Sequence, residues 1–400
     1  MNQITGDQSL LKRINRMALV GLVKAQPGVS RADLAKHTGL TKSTVSILVK
    51  GLIHEGWLCE RAVPAAGGVG RRPTPLSIDP DRLALLGAEI GVDYLNVVGC
   101  NLQGDLLWSR MVPYRHAAVG ESLERLAGMV ARAHQRLANQ GRTPLGLGVG
   151  LPGLVDATNG VLRFAPNIGW RDIPVREQMA VALARAGCGD MNVDVLNEAN
   201  AAALSEYIFG SENHTAPLVY ISIGVGLGAG IVLGDRLYVG NDGLAGEVGH
   251  TVLQLDGPPC LCGRRGCAET YISQRAVSRA ITGETGEILS IKELVDRVVR
   301  HDPAAVKAAE QAGQYLGLLM QNLSNTINPA VMVLGGPLCQ LGSIFVDAAL
   351  ASMKRQAGTA DYHRTTVRLC RFGINACAVG AAGGVLIHYL HPLAQSTRDV

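Results

Sequence analysis

The first 60 residues carry apolar positions at the spacing of α-helices. Over residues 10–26, four apolar residues recur every three or four positions and predict a first helix. They are Leu11, Ile14, Ala18 and Leu22. Ser30, with an acidic residue three positions later, has the pattern of an N-cap and predicts a short helix to about residue 37. After a Thr-Gly-Leu turn, a second cap at Thr41 predicts a longer helix to about residue 55, an order typical of a helix-turn-helix.

The third predicted helix has one apolar face and one polar face. The apolar residues, which we expect in the core, are Val45, Leu48, Val49 and Leu52. Small hydroxyls and lysines on the other face suit entry into a DNA major groove, where they bond phosphates or base edges. These candidate DNA-binding residues are Lys42, Ser43, Thr44, Ser46 and Lys50, with Ile47 at their border. For each lysine, a phosphate contact is the first expectation.

Two strand-like segments follow Gly56 and flank a glycine-rich stretch, which predicts a hairpin wing. Arg71 and Arg72 lie at or just beyond its tip and suit a narrow, A·T-rich minor groove. The charge agrees with a head that binds a polyanion: residues 1–80 hold 11 Lys and Arg against 5 Asp and Glu, whereas the rest has a net charge of −2. The alternative is a solvated head that binds a protein.

The composition is that of a folded protein with more than one domain. Of 400 residues, 47% are apolar and 18% are charged, which excludes general disorder. No uninterrupted apolar run approaches about 18 residues, so we expect no membrane-spanning segment. The first residues lack the apolar stretch of a signal peptide, and nine Cys, three of them within residues 260–267, favour a reducing compartment. We therefore expect a cytoplasmic protein.

From residue 83 onward, strand patterns alternate with helices and glycine turns, which predicts an α/β architecture. Residues 85–110 read as two strands around a turn, followed by a helix near 120–139. The other predicted elements are a strand running into a helix at 192–207, a glycine-rich hairpin at 218–240, and a long helix at about 304–327 before a strand at 330–336.

The sharpest chemical signal is a cluster of metal-ligand residue types. His250 is followed by Cys260, Cys262 and Cys267 in a glycine-rich loop. Three thiolates and one imidazole complete a tetrahedral zinc site, and four protein ligands leave no open position for water, so we expect a structural zinc ion. The alternative is four unrelated buried side chains, but such crowding of Cys in a glycine-rich loop has little other reason.

Four stretches together carry a family resemblance: GEVGH, the C-x-C-G-x-x-G-C-x-E run, PNIGW and NEANAAALSE resemble the ROK family of repressors and sugar kinases. The resemblance covers residues 10–390. It implies a winged helix-turn-helix at 1–80 before an actin/hexokinase-like (ribonuclease-H-like) body of two α/β lobes with a sugar cleft between them. It also implies a first lobe at 81–195, completed by a C-terminal helix near 378–390, and a second lobe at 196–377 that carries the zinc loop.

The resemblance implies sugar contacts at six positions of this sequence: Asn167, Asn197, Glu198, Glu247, His250 and Glu269. Their chemistry fits a polyol, because a carboxylate accepts from two hydroxyls at once and an Asn both donates and accepts. For each acid alone, a surface or capping carboxylate is the alternative. We expect the zinc loop to hold Glu247, His250 and Glu269 in place.

Sugar kinases of the family need two phosphate loops, and this sequence alters both. The first, D-x-G-G-T in the kinases, reads Glu89-Ile90-Gly91-Val92-Asp93 here, and the charge of Asp93 would repel phosphate. In the second, Val225 stands where the kinases have a hydroxyl, and their catalytic Asp is Glu198, one methylene longer. Phosphoryl transfer depends on positioning and electrostatics. We therefore expect sugar binding without transfer, no catalytic residue, and remaining glycines that serve as packing turns.

The sequence thus predicts a sugar-responsive repressor of carbohydrate-utilisation genes, similar to the xylose-repressor branch of the family. Two heads of a homodimer or tetramer would bind a palindromic, A·T-rich operator in double-stranded DNA, and sugar in the cleft would release them. Xylose is the first expectation, because the longer Glu198 fills the space of a missing C6 hydroxymethyl; glucose or an amino sugar is the alternative. Two other functions stay open: an active sugar kinase and a repressor controlled by a protein partner.

Overall fold

A computed structural model gives the structure of the chain, and it describes residues 8–61, 74–115, 118–210, 215–283, 287–357 and 365–391. The tip of the predicted wing, with Arg71 and Arg72, lies outside the described residues.

The N-terminal head is three helices and a two-stranded sheet. Its helices are α1 (Gln8–Ala25), α2 (Arg31–Thr38) and α3 (Lys42–His54), and strands β1 (Leu58–Glu60) and β2 (Leu76–Ile78) pair antiparallel. The predicted caps are confirmed: Ser30 and Asp33 form a reciprocal capping box on α2, and the Thr41 side chain caps α3. Gly39 ends α2 at a φ of 71°, a conformation in which glycine has no steric penalty.

The buried face of α1 differs from the spacing that predicts the helix. The residues at that spacing include Leu11, which is 50% exposed, and the exposed Ala18. The buried residues are Met17, Leu19, Val20 and Val23. They lie in the C-terminal half of α1, and the helix packs against α2, α3, β2 and the last helix of the body. Tertiary contacts therefore determine which face of α1 is buried. In α3, by contrast, the four predicted core residues are all buried.

The first lobe is built on a five-stranded sheet with the order β10-β6-β3-β4-β5. Its strands are β3 (Leu83–Ile90), β4 (Tyr94–Cys100), β5 (Leu106–Pro113), β6 (Thr143–Leu151) and β10 (Val193–Asn197). Helices α4 (Val119–Asn139) and α5 (Val175–Arg185) pack on it, and β7 (Leu154–Asp156), β8 (Val161–Ala165) and β9 (Trp170–Ile173) form a small separate sheet.

The prediction of two strands over residues 85–110 is wrong, because the segment holds β3, β4 and most of β5. The missed turn lies between β4 and β5, where Asn101 Oδ1 accepts hydrogen bonds from the backbone N–H groups of Gln103 and Asp105, both at 2.9 Å. Such an Asx turn closes in a few polar residues and leaves little interruption in the apolar pattern.

The second lobe is built on another five-stranded sheet, with the order β13-β12-β11-β14-β15. Its strands are β11 (Leu218–Ile223), β12 (Leu227–Leu233), β13 (Arg236–Leu237), β14 (Val331–Gly335) and β15 (Thr366–Leu369). The glycine-rich hairpin at β11 and β12 and the long helix before β14 are confirmed. The helices around this sheet are α7 (Glu269–Ile272), α8 (Gln274–Thr282), α9 (Ile291–Val299), α10 (Pro303–Ile327) and α11 (Ser343–Gln356).

Two helices, α6 (Glu198–Phe209) and α12 (Ala376–Leu390), pack against each other between the sheets. Glycines bring the backbones together: a Cβ added at Gly87 of β3 would lie 1.8 Å from Ala378 O, and one added at Gly380 would lie 1.6 Å from Ala201 O. The terminal helix therefore packs on the first lobe. By length and composition the segment Gly373–Leu390 could cross a membrane, but 56% of it is buried inside the protein, as for a core helix.

Candidate functional site

The N-terminus of α6 places two of the predicted site residues. Asn197 ends β10 and caps α6, because its Oδ1 accepts from the backbone N–H groups of Ala199 at 2.9 Å and Asn200 at 3.1 Å. Its Nδ2 donates to Gly153 O at 2.9 Å. One N–H of the Asn197 amide is left without a partner among the described residues, so Asn197 has only one donor for a ligand and otherwise positions the helix.

Three carboxylates meet in front of this helix end. Burial, and then the nearby charges of Glu247 and Glu269, raise the pKa of Glu198 to about 7. Burial also raises the pKa of Glu247, partly offset by His250 and reinforced by Glu269. Because like charges disfavour each other's ionisation, a neutral ligand that donates several hydroxyls suits this cluster better than an anion.

Glu269 and Asn167 reach the same space from two distant segments. Glu269, the first residue of α7, accepts from the backbone N–H of Leu227 at 3.0 Å. Asn167 is exposed in the turn between β8 and β9. A Cβ added at Gly226 would lie 3.0 Å from Glu269 Oε2 and 3.9 Å from Asn167 Nδ2. Any side chain at Gly226 would enter the space that these two polar atoms face.

His250 joins the carboxylate cluster to the cysteine loop. Its Nδ1 lies 3.7 Å from Cys260 Sγ, and its Nε2 lies 3.9 Å from Glu247 Oε2. The structure thus brings together all six predicted sugar-contact residues, in a chain of neighbours that runs from Asn197 to Asn167.

The four predicted metal ligands also come together. The ligand atoms of His250, Cys260, Cys262 and Cys267 all lie within 4.8 Å of one another, and the Sγ atoms of Cys262 and Cys267 are 3.7 Å apart. Two Zn–S bonds of about 2.3 Å at the tetrahedral angle separate their sulfurs by about 3.8 Å. The cluster therefore has the residue types and the close spacing of a tetrahedral metal site. Glu247 beside the second nitrogen of His250 matches the carboxylate that often orients such a ligand.

The altered first phosphate loop is covered by Tyr94, a residue that the sequence alone did not indicate. Tyr94, the first residue of β4, donates through its hydroxyl to Glu89 Oε1 at 2.5 Å. Its ring covers Gly91, since a Cβ added there would lie 2.4 Å from the ring atoms. Glu89 is only 4% exposed, and burial raises its pKa to about 8. A buried carboxyl bonded to Tyr94 therefore stands where the kinases of the family have the Asp of their first loop, while Asp93 of the same loop is exposed.

In the second glycine loop, only part of the sequence forms a turn. Gly224 and Gly226 lie between β11 and β12, whereas Gly228 and Gly230 lie within β12. A Cβ added at Gly230 would lie 2.3 Å from Ala199 O of α6. Gly230 therefore packs β12 closely against α6, but as a strand residue, so the expectation of a packing turn is wrong at this position.

The outer face of α3 is open to solvent. Lys42, Ser43, Ser46 and Lys50 are exposed, Thr44 is half-buried, and Ile47 is 70% exposed. The hydroxyls of Ser43 and Thr44 lie within hydrogen-bond distance of Thr41 Oγ1, at 2.9 and 2.8 Å. Both hydroxyls are thus engaged in the cap network, which leaves the two lysines, Ser46 and Ile47 as the freest groups of the predicted DNA face.

Comparison with known proteins matches two separate stretches of the chain to two family descriptions. The ROK family matches residues 85–386, and the IclR helix-turn-helix domain matches residues 17–61. The chain is 29% identical over 387 residues to the xylose repressor of Bacillus subtilis (strain 168), covering 96% of this chain and 98% of that repressor.

Solved structures of related proteins include a repressor-type and a kinase-type body. A crystal structure of a ROK family transcriptional regulator, a homologue of the E. coli MLC protein, is 26% identical, with a TM-score of 0.77 over 96% of this chain and 99% of that chain. A ROK family glucokinase from Streptomyces griseus, in complex with glucose and AMPPNP, is 29% identical, with a TM-score of 0.64 over 75% of this chain and 98% of that chain.

Proposed function

Because the chain belongs to the ROK family, we propose that it is a sugar-responsive transcriptional repressor that binds DNA through its N-terminal head. The observation that carries this proposal is the placement of α6, which joins the two parts. Its first turn holds Asn197 and Glu198 in the carboxylate cluster, and at its other end Ile208 O accepts a 2.8 Å hydrogen bond from Lys24 Nζ of the head.

Helix α6 is suited to transmit a movement from the sugar site to the head because it is buried and rigid along its length. Every residue from Ala199 to Phe209 is buried, and 12 residues of α-helix span about 18 Å. At its end, Phe209 O accepts from Arg371 at 2.8 Å, while the buried Glu206 pairs with Arg368 at 2.5 Å. A shift of the sugar-facing end is therefore passed to a junction where head and second lobe meet.

The proposed ligand is a neutral sugar held by Asn167, Asn197, Glu198, Glu247, His250 and Glu269. Carboxylates accept from hydroxyl pairs, and the raised pKa of Glu198 lets its protonated form also donate a hydrogen bond to a hydroxyl oxygen. D-Xylose is the sugar that the similarity to the Bacillus subtilis xylose repressor favours. The added methylene of Glu198 supports a pentose, since it takes up space that the hydroxymethyl of a hexose needs.

Zinc is the proposed ion of the cysteine loop. His250, Cys260, Cys262 and Cys267 would hold it, and a bound zinc ion would supply rigidity and not catalysis, because all four positions are taken by protein ligands. His250 then holds Glu247 from one side, and the same loop leads directly into Glu269. The sugar-binding face and the metal loop would fold as one unit.

The proposal includes no phosphoryl transfer. The Tyr94 ring covers Gly91, and the raised pKa of the buried Glu89 favours its neutral form, so the first loop lacks the acid and the open glycine that position a nucleotide–metal complex. The charge of the exposed Asp93 would repel phosphate. The related glucokinase with bound AMPPNP makes a sugar kinase the second candidate function. ATP turnover with a sugar acceptor would favour that candidate.

In the proposed mechanism two heads of a homodimer or tetramer bind a palindromic, A·T-rich operator in the cytoplasm. The major groove would be contacted by Lys42, Ser43, Thr44, Ser46 and Lys50, and the minor groove by Arg71 and Arg72. Sugar releases the heads only if the released form binds it more tightly, and each factor of ten in that preference supplies about 1.4 kcal/mol.

Thermal denaturation of the full chain with D-xylose, D-glucose and amino sugars, each with and without ATP, tests the proposal. A sugar at about 100 times its dissociation constant adds roughly 2.7 kcal/mol to the free energy of unfolding. Stabilisation by xylose that ATP leaves unchanged supports the repressor. Stabilisation by no sugar contradicts it, and calorimetry with at least tenfold preference for glucose would exclude the pentose.

A further inference from the structure

A second cavity lies where the head meets the body, at the opposite end of α6 from Glu198. Its volume is about 190 Å³. The head contributes Lys24 at the end of α1, Arg61 just after β1, and Ser77 from β2. The body contributes Gln103 from the β4–β5 turn and Ile208 from α6. Both parts of the protein therefore form its walls, and none of the proposed sugar-contact residues lines it.

The charge of the cavity is unbalanced. Two of the lining residues, Lys24 and Arg61, are cations, and no carboxylate is among them. The remaining residues are polar or apolar and include Ser77, Gln103 and Ile208. Lys24 is half-buried and Arg61 is exposed. Because an opposite charge usually accompanies a partly buried cation, a cavity with two cations and no acid favours an anionic ligand.

Lys24 is the more constrained of the two cations. Its ammonium donates to Ile208 O at 2.8 Å and lies 5.4 Å from the centre of the Phe209 ring. Burial lowers the pKa of Lys24 to about 8, with no charged group as a further cause. An ammonium has three donors, and two of those of Lys24 have no partner among the described residues. An anion beside it would restore the solvation that burial removes.

Arg61 faces the cavity from the wing. Its Nε donates to Ser77 Oγ at 3.1 Å, which fixes the plane of the guanidinium against β2. Its two terminal nitrogens make no hydrogen bond to any described residue. A guanidinium held in this way presents a fork of N–H groups, the geometry that matches two oxygens of a phosphate.

We propose that this cavity binds a small phosphate-bearing anion, with Lys24 and Arg61 as its two cationic contacts. Phosphate offers enough acceptor oxygens for the free donors of both side chains, whereas chloride is a single point charge. The volume also admits a short carbon skeleton beside the phosphate group. Since its walls come from head and body, the bound anion would bridge them and stabilise one orientation of the head. The site is separate from the sugar cleft and does not depend on the sugar assignment.

Calorimetric titration of the full chain, free of DNA and sugar and in buffer without phosphate or sulfate, tests the site. The probes are sn-glycerol 3-phosphate, inorganic phosphate and, as the neutral control, glycerol. We expect saturable binding of one phosphate-bearing molecule per chain and no binding of glycerol. Lys24→Met and Arg61→Gln should each weaken it roughly tenfold, the loss typical of a charge-assisted hydrogen bond. Lys12→Gln, which removes an exposed cation from the same helix as Lys24, should leave it unchanged.

The two probes separate the sources of the phosphate. Stronger binding of the ester supports a phosphorylated metabolite, and equal binding supports inorganic phosphate. The proposal is overturned if neither probe binds saturably, or if both variants, folded by circular dichroism, bind the probes as the unchanged protein does. It is also overturned if the variants weaken only DNA binding, because the two cations would then contact the phosphates of the duplex. None of these results depends on whether xylose binds the cleft.

Discussion

The hydroxyl of Tyr94 donates a 2.5 Å hydrogen bond to Glu89 Oε1 across the turn that joins β3 to β4. The pair stands at the position of the first phosphate loop of the related kinases, where it places a buried carboxyl whose raised pKa favours its neutral form. Cys377 at the start of α12 and Glu198 at the start of α6 also face Glu89. The residue is therefore part of the packing between the two central helices.

Replacing Glu89 should change how stability depends on pH. Burial raises the pKa of Glu89 from 4.5 to about 8, so folding takes up a proton between these values and the free energy of unfolding falls as pH rises. Glu89→Gln removes this contribution and should lessen the fall by up to about 1.4 kcal/mol per pH unit between pH 5.5 and 7.5. Urea denaturation across that range measures it.

Tyr94→Phe provides the matched arm of this experiment. The hydrogen bond from Tyr94 lowers the pKa of Glu89, so removing this bond should raise that pKa. The free energy of unfolding should then continue to fall up to a higher pH. Equal pH slopes in the unchanged protein and in Glu89→Gln would show that Glu89 is ionised in the folded state.

Removing one thiolate should weaken the response to sugar. Cys260→Ser leaves three of the four ligand positions, so zinc content by elemental analysis should fall from about one ion per chain. Because the loop then no longer holds His250 and Glu269, the affinity for sugar measured by calorimetry should fall at least tenfold. Cys188→Ser, at a half-buried cysteine outside the cluster, is the control. Full zinc loss with unchanged induction would refute the structural role of the ion.

Removing the charge of Lys24 should uncouple the two ends of α6. Lys24→Met breaks the bond to Ile208 O while leaving the carboxylate cluster intact, so sugar should bind with unchanged affinity. The factor by which sugar lowers DNA affinity should shrink roughly three- to tenfold, in line with one charge-assisted hydrogen bond. Arg61→Gln, which touches the same cavity but not α6, should keep the factor. An unchanged factor in Lys24→Met would remove this contact from the relay.

Lys50, one of the two exposed lysines on α3, should contribute to DNA binding through its charge. Lys50→Gln should weaken binding to all duplexes about equally and reduce the slope of log affinity against log salt by about 0.9, the effect of one lost phosphate contact. Lys307→Gln, exposed on α10 of the body, should leave the slope unchanged. A loss confined to one duplex sequence would instead assign Lys50 to a base edge.

Local signals predict the parts of the fold that local chemistry determines. Ser30, Thr41 and Gly39 set the ends of α2 and α3 through bonds within a few residues, so their sequence is enough to find them. The buried face of α1 is different, because Met17 and Val23 are buried by the rest of the head and by α12. No periodicity within residues 10–26 contains that information.

The same contrast applies to the site. The cysteine loop is found from spacing alone, because its ligands are close in sequence. Tyr94 is missed because a tyrosine at the start of a strand has no local signature, and only the fold shows its ring above Gly91. Asn197 both caps α6 and donates a hydrogen bond to Gly153 O, and the second role likewise depends on a loop 44 residues away.

In the proposed mechanism, sugar in the cleft releases the head from DNA. The most direct measurement is the fluorescence anisotropy of a labelled duplex, selected by the full-length protein from a random pool, during titration with D-xylose. We predict that xylose raises the dissociation constant of the protein–duplex complex at least tenfold. Glu269→Gln should abolish this effect without weakening DNA binding in the absence of sugar. DNA binding that no sugar changes would contradict it.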